Sequence, residues 1–590
     1  MSAQPRPDAR EPAMPPAAPG RWARLRLAAQ ERLVPGEQPR MLAWAGVIGF
    51  LAACTTVAFS WAMRHLVGLF TGHVGAPAAA AMTLGPLARL LTPAAGGLLA
   101  GLVLVAAGRW LGSTRGGDYM EAVTIGEGRI PAAPTLVRSA SSLLSIGSGA
   151  SIGREGPMVQ LAALVASLVT RYANLQAPRR RLLVACGAAA GITSAYNAPV
   201  AGALFVGEIV LGSIAFESFG PILVAAVVAD LTLRHFLAAQ PLYRLPGFES
   251  PGALQALTYV LLGLVAGALA PLFLGALDGA RALFRRLRLP LPLSLAAGGL
   301  VVGAISIDMP QVWGNGYSVV NAILAGEWVG RSLLLLFALK LLATFATVGS
   351  GAIGGVFTPT LFVGAALGAA FGQLLGAVAP SLGAQPTELA AVAMGAFLAA
   401  TTHAPFMAVI MIFEMTGSYP AVLPLVLACV PAYGLARVLR PDSIYAGELR
   451  RGAAARVGFA SQKVADLMRA DPPTVDRDDD LGRIAAQFGA HRFQYLYVID
   501  AQRRYLGAVS LHDLRVLLAQ PQPQPRRAVD ILVPGFAVLG TSQPLDESLA
   551  AFSSHRGERL PVVDDAGRLA GALWKTDVIL ALHDGLSRTR

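Results

Sequence analysis

The chain has 590 residues, of which 54% are hydrophobic and only 14% charged, against roughly 25% charged in a soluble domain. This excludes a disordered chain, a collagen-like chain and a small disulfide scaffold, and it places much of the sequence in lipid. The net charge of +12 fits Lys and Arg flanking membrane segments on the cytoplasmic side. It does not fit nucleic-acid binding, because the basic residues form no single stripe with interleaved aromatics.

Residues 1–40 are rich in Pro, Ala and Arg and hold no spanning run. They read as a disordered basic arm. A basic start followed directly by an apolar stretch would mark a signal peptide, and that order is missing. Arg21, Arg24, Arg26 and Arg32 precede the first long apolar run, so the arm is expected to stay in the cytoplasm. The run Met41–Met63 is uncharged and long enough to cross ~30 Å of hydrocarbon. Further apolar runs cover 94–108, 255–277, 341–384, 389–413 and 415–436, and 199–228 is apolar apart from Glu208 and Glu217. Gly and Pro break several of them. Such breaks are tolerated only where surrounding protein satisfies the freed backbone groups, which argues for a compact bundle. The clusters Arg179–Arg180–Arg181 and Arg285–Arg286–Arg288 read as cytoplasmic loops. Cys54, Cys186 and Cys429 lie far apart in apolar runs, without disulfide or metal spacing, and read as packing residues.

Two motifs recur within this membrane part. Gly147–Pro157 and Gly349–Pro359 both read GSGAxxGxxxP, offset by 202 residues. Asn197–Ala198–Pro199 leads to Glu208 and His403–Ala404–Pro405 leads to Glu414, both reading APx₈E at an offset of 206. The chain therefore consists of two related halves, about 41–230 and 250–440. Interrupted segments at matching positions of two halves point to a transport site. A Gly-rich turn that opens a helix exposes unpaired N–H groups at the positive end of the helix dipole. Two such ends converging near the midplane attract an anion moderately, which suits fast passage. A nucleotide-binding loop does not fit, since neither copy ends in GK[ST].

Glu155 is a carboxylate inside a membrane-embedded motif, which is expensive and marks function. Set at an anion site it mimics the anion; protonated, it loses its attraction for the helix ends and swings away. It reads as a gate, with a structural salt bridge to Arg154 as the alternative. Glu208 and Glu414 read as helix caps or paired structural contacts, and His403 as the structural counterpart of Asn197.

GREGP at 153–157, GGVFTP at 354–359 and the late Tyr445 resemble the CLC family of chloride channels and proton-coupled chloride transporters, over about residues 40–450. The resemblance implies an all-α polytopic membrane domain of two inverted halves with broken, tilted helices. It also implies a homodimer with one pore per subunit. It implies that Glu155 is the gating glutamate, that amides around Arg154–Gly156 and Val356–Phe357 bind the anion, and that the Tyr445 hydroxyl closes the inner side. Arg138 falls where the family has a buried basic residue that raises the local potential. Two positions depart from the family. Its first anion motif, GSGIP, is replaced by Thr114–Arg115–Gly116–Gly117–Asp118, with Thr114 or Arg115 at the serine's place and Ser113 out of register. Family exchangers pass inner protons through an acid where this chain has Ile209.

Residues 441–590 are charged and contain no spanning run. Strand-like runs (Tyr495–Ile499, Leu560–Val563) alternate with helical patterns (478–489, 545–554), so the tail reads as soluble α/β. It resembles a tandem CBS pair, 463–518 and 526–585, joined by a Gln/Pro linker at 519–525. Gly507–Asp513 matches GxxSxxD, which implies nucleotide contacts from Ser510 and Asp513. The second copy keeps Asp577 but has Trp574 at the hydroxyl position. An adenine nucleotide is the ligand that follows; no cofactor is required for transport and no metal site is read.

The function expected is passive chloride conduction in the cell membrane, gated by Glu155, with both termini cytoplasmic. Proton-coupled exchange is the first alternative and a non-conducting, membrane-anchored nucleotide sensor the second. No nucleophile–base set or metal cluster points to an enzyme.

Overall fold

The computed structural model describes residues 37–111, 117–124, 126–173, 175–213, 216–237, 242–243, 252–380, 385–446, 462–491, 493–519, 525–533, 535–554 and 557–578. The basic arm and most of the Gln/Pro linker lie outside them. The chain divides into two units, Met1–Tyr445 and Ala446–Arg590.

The first unit is helical. Among the described residues, eight helices are long and apolar enough to cross a membrane. The apolar run 341–384 is not one element. It forms the helices Gly330–Gly349 and Phe357–Val378, separated by the glycine-rich turn. The stretch 199–228 forms the short helix Pro199–Phe205, a π-helical turn at Val206–Val210, and then the helix Phe216–Leu237. The Arg179–Arg181 cluster belongs to the first turns of the helix Ala177–Tyr196, and Arg285 and Arg286 to the last turn of Ala253–Arg286; both therefore sit on helix ends, not in loops. At the latter end the two cations face the negative pole of the helix dipole.

Packing repeats with the sequence. In lipid, helices gain little from the hydrophobic effect and associate through close backbone approach at small residues. The helix Pro86–Leu111 meets the first glycine-rich turn at Gly96, where a Cβ would fall 1.8 Å from the Ser148 hydroxyl. The helix Leu291–Asp308 meets the second turn at Gly298, where a Cβ would fall 2.5 Å from the Ser350 hydroxyl. Both contacts recur at the 202-residue offset. In each half one helix is buried over most of its length, Ala177–Tyr196 from Leu183 onward and Pro386–Thr402 from Glu388 onward. Both end on a left-handed residue, Asn197 and His403 (φ 53° and 59°), so His403 is a helix terminator like its counterpart. The helices that follow cap each other across the halves. Glu414 accepts from the N–H groups of Val200 and Ala201, at 3.0 and 2.8 Å, and Glu208 accepts from Met407 N–H at 2.8 Å. Each carboxylate satisfies the free donors at the start of the other half's helix, which makes both residues caps.

The second unit is also duplicated, at an offset of 64 residues. Its first sheet runs β1 (Thr474–Asp476), β2 (Tyr495–Ile499), β3 (Tyr505–Ser510), and its second β4 (Leu539–Gly540), β5 (Arg559–Val563), β6 (Leu569–Trp574). In each sheet a parallel pair is followed by an antiparallel hairpin. Asp500 and Asp564 turn the two hairpins, each accepting the N–H groups two and four residues on. Alternate residues of the strands build separate cores, Val475, Leu496, Val498 and Val509 with Ile484 in the first copy, and Leu539, Leu560, Val562 and Leu573 with Leu545 in the second.

Candidate functional site

The two glycine-rich turns meet each other. Gly149 and Gly351 adopt left-handed backbone (φ 112° and 96°) and redirect the chain after the helices Ala132–Gly147 and Gly330–Gly349. Four residues later the chains touch as an antiparallel bridge. Gly153 N–H donates to Gly355 carbonyl and Gly355 N–H donates to Gly153 carbonyl, both at 2.8 Å. Since 153 and 355 are repeat-equivalent, this reciprocal bridge lies on the axis relating the halves, and its antiparallel sense is that of inverted repeats.

A helix leaves each side of the bridge, Glu155–Tyr172 and Phe357–Val378. Each has Pro at its third residue, Pro157 and Pro359, and the first intrahelical bonds run from Met158 to Arg154 and from Thr360 to Val356. The amides of Glu155, Gly156, Phe357 and Thr358 therefore have no carbonyl one turn back and form the positive ends of two dipoles. Gly156, Val356 and Phe357 are brought together here.

Glu155 occupies the junction. It is 2% exposed. Its Oε1 accepts from the Thr358 hydroxyl, and its Oε2 has no hydrogen-bond partner. The carboxylate lies against the bridge, where a Cβ on Gly153 or Gly355 would fall 1.9 or 2.7 Å from Oε2. Only glycine at both positions admits it. No ion pair forms with Arg154, whose guanidinium instead lies 5.6 Å over the Tyr317 ring. The Thr358 hydroxyl is in turn 3.2 Å from the Tyr196 hydroxyl.

An aromatic file continues from this point. Tyr196 packs on Phe357 with centroids 4.8 Å apart, Phe205 lies 6.4 Å from Phe357, and Tyr445 meets Phe205 edge-on at 5.6 Å. The turn carrying Tyr445 is pinned by the bond from Ile444 N–H to Thr401 carbonyl. Ile209 is buried in the π-helical turn.

Other expectations fare differently. Ser113, Thr114 and Arg115 lie outside the described residues. Arg138 is exposed, not buried: the packed stripe of its helix runs through Thr135, Ser139, Ser142 and Ile146, and the long Arg138 chain leaves it for the surface. The buried cation is its repeat equivalent, Lys340, 202 residues on. It is 1% exposed, and its ammonium donates to the carbonyls of Val312 and Gly314 at 2.7 Å. Thr358, Tyr196 and Lys340 were missed from the sequence. The repeat offset, applied to single positions, would have flagged two of them, since Thr358 is the equivalent of Gly156 and Lys340 of Arg138.

In the tail, the Ser510 hydroxyl accepts from His512 N–H at 3.1 Å and caps the helix Leu511–Leu518, with Asp513 exposed in its first turn. Asp577 is not free for a ligand. Both its oxygens accept from Arg469, at 2.8 and 2.9 Å, and that guanidinium lies 5.1 Å from the Trp574 ring centre. The buried Arg559 fills the neighbouring space, stacked 3.7 Å over Phe493. The acid of the second copy is therefore tied to a protein side chain, whereas in the first copy Ser510 is buried as a helix cap and Asp513 is exposed.

The family model for the voltage gated chloride channel matches residues 96–437, and the model for the CBS domain matches residues 464–520. Over 415 residues the chain is 52% identical to a putative ClcB-like chloride channel protein of Ralstonia nicotianae, covering 70% of this chain and 97% of that one. It is 43% identical over 416 residues to a voltage-gated ClC-type chloride channel ClcB of Citrobacter koseri, covering 69% and 98%. Among solved structures it is similar to a slow cyanobacterial Cl⁻/H⁺ antiporter, at 26% identity, TM-score 0.63, and coverage of 71% and 99%. A eukaryotic CLC transporter at 18% identity shares the fold, with TM-score 0.61 and coverage of 91% and 98%.

Proposed function

The chain belongs to the voltage-gated chloride channel (CLC) family, and from that premise we propose that it conducts chloride passively through a pore in its own membrane unit, gated by Glu155. As a member it is a multi-pass integral membrane protein of chloride transport. The observation that carries the proposal is the seat of the Glu155 carboxylate. A single negative group lies at the junction of two inverted helix ends, against glycine walls, with one oxygen unpartnered. That is the place and charge of a permeating anion. Protonation removes the charge that the helix ends attract, and the side chain yields its place. Conduction without coupling is supported by Ile209, an apolar side chain where a proton-passing acid would stand on the inner side.

Proton-coupled exchange is the second reading. It is favoured by the likeness to a structure titled as a Cl⁻/H⁺ antiporter, at 26% identity. The chain acts as a homodimer in the cell membrane with both termini cytoplasmic, and an adenine nucleotide binds the first tail copy through Ser510 and Asp513. Chloride efflux from liposomes containing the purified chain, with potassium and valinomycin to dissipate voltage, tests the transport reading. Efflux well above protein-free liposomes is expected; a non-conducting sensor would give none. Equilibrium dialysis with labelled ATP tests the tail: Ser510→Ala should weaken binding and Asp577→Asn should not.

A further inference from the structure

Thr358 lies within the second glycine-rich motif, where the sequence assigns its side chain no role, yet its hydroxyl is the group that grips the gating carboxylate. It is fully buried at the second position of the helix Phe357–Val378. A hydroxyl has one proton to give. Thr358 gives it to Glu155 Oε1, so the contact with Tyr196 must run the other way, Tyr196 hydroxyl donating to Thr358 oxygen. The result is an oriented chain, Tyr196 to Thr358 to Glu155. Tyr196 is itself fixed by its packing on Phe357, so the Thr358 proton is aimed at one spot, the place the carboxylate fills.

From this geometry we infer that Thr358 is a side-chain ligand of the permeating anion: when Glu155 leaves, its hydroxyl donates to chloride in the carboxylate's place. The inference rests on the reading of Glu155 as the gate. Three observations carry it. The hydroxyl proton is already given to a negative group at this spot, and it can be given equally to another anion seated before the two helix ends. The Glu155 Oε2 beside it is buried without a partner, so the seat holds a negative group that the protein satisfies on one side only. And the first-half stretch 113–118 lacks a serine in register, whereas the second half puts a hydroxyl next to the free amides of Phe357 and Thr358. The repeat equivalent of Thr358 is Gly156, so the donor is present once and breaks the symmetry of the site.

The test is chloride binding to the full-length chain by titration calorimetry, in the Glu155→Ala background that leaves the seat open. Thr358→Val keeps the shape and removes the hydroxyl. It should weaken chloride binding about tenfold, the loss of one hydrogen bond to a charged group. Thr358→Ser should restore the affinity to within about twofold, because a hydroxyl is again available to the anion. Thr358→Ala, whose smaller side chain fits the same space, must weaken binding as Val does. If Val and Ala both bind chloride as tightly as Thr in this background, the inference is overturned while the conduction reading stands. If Glu155→Ala neither binds nor passes chloride, both are overturned together.

Discussion

Replacing Glu155 by Gln keeps the size of the side chain and removes its charge. In the closed arrangement the carboxylate accepts a charge-assisted hydrogen bond from Thr358, worth about 1.5–3 kcal/mol. It also faces two helix N-termini, each contributing about 0.3–1 kcal/mol and up to ~2 where partly buried. Burying an ion costs several kcal/mol in return. Taking the attraction of the helix ends and the cost of burying the ion as offsetting, the hydrogen bond sets the bias toward the closed arrangement at about 1.5–3 kcal/mol, a closed-to-open ratio of about 10 to 150 at one tenfold per 1.36 kcal/mol. The assay is the initial rate of chloride efflux per protein from liposomes at pH 7.5 and pH 4.5. Wild type should be slow at pH 7.5 and faster at pH 4.5, as protonation begins to empty the seat, and the closed-to-open ratio sets a rate about 10 to 150 times that of wild type at pH 7.5 for a seat that carries no charge. Glu155→Gln should be fast at both pH values, with the slope gone. A Glu155→Gln chain that keeps the wild-type rate and pH slope would refute the gate.

Three more outcomes follow from the same geometry. Glu414→Ala leaves the N–H groups of Val200 and Ala201 without their cap. It should cost about 1 kcal/mol or somewhat more, read as a lowered Tm in detergent with chloride efflux still measurable; an unchanged Tm would contradict reciprocal capping. Lys340→Met strands the buried carbonyls of Val312 and Gly314, at about 1–3 kcal/mol each. It should lower Tm more than Glu414→Ala does, and Arg138→Met, on the exposed equivalent, should change it little. In the tail, bonds from the backbone N–H of Arg568 hold the Asp564 carboxyl below its ordinary value. A depressed acid stabilises the fold above its unfolded pKa of about 4 and loses that contribution as pH falls through the folded value. Asp564→Asn should therefore flatten the acid limb of tail unfolding, followed by Trp574 fluorescence, and an unchanged limb would count against it.

Much of this was legible because the protein is written twice. The 202-residue repeat fixes the paired turns, the bridge between Gly153 and Gly355, and the equivalent helix starts at Glu155 and Phe357. The APx₈E repeat foretells the crossed caps, because a carboxylate one short helix beyond a proline start recurs in both halves. What stayed hidden depends on contacts between distant residues. Thr358 and Glu155 are 203 positions apart, and no local pattern says their side chains meet. Equivalent positions 138 and 340 both carry a long cation, and sequence alone does not say which finds buried carbonyls. The tail motif around Asp577 is intact to the eye, yet Arg469, 108 positions away, occupies the carboxylate. The altered stretch at 113–115 lies outside the described residues.

The central claim is uncoupled chloride conduction, and simultaneous recording of chloride and proton flux tests it most directly. Purified protein in liposomes is given a chloride gradient and no proton gradient. Chloride moving without protons is the result predicted from the buried Ile209 and the lone gate at Glu155. Protons driven uphill in fixed ratio to chloride would contradict it, make the chain an exchanger, and require a proton path that bypasses position 209.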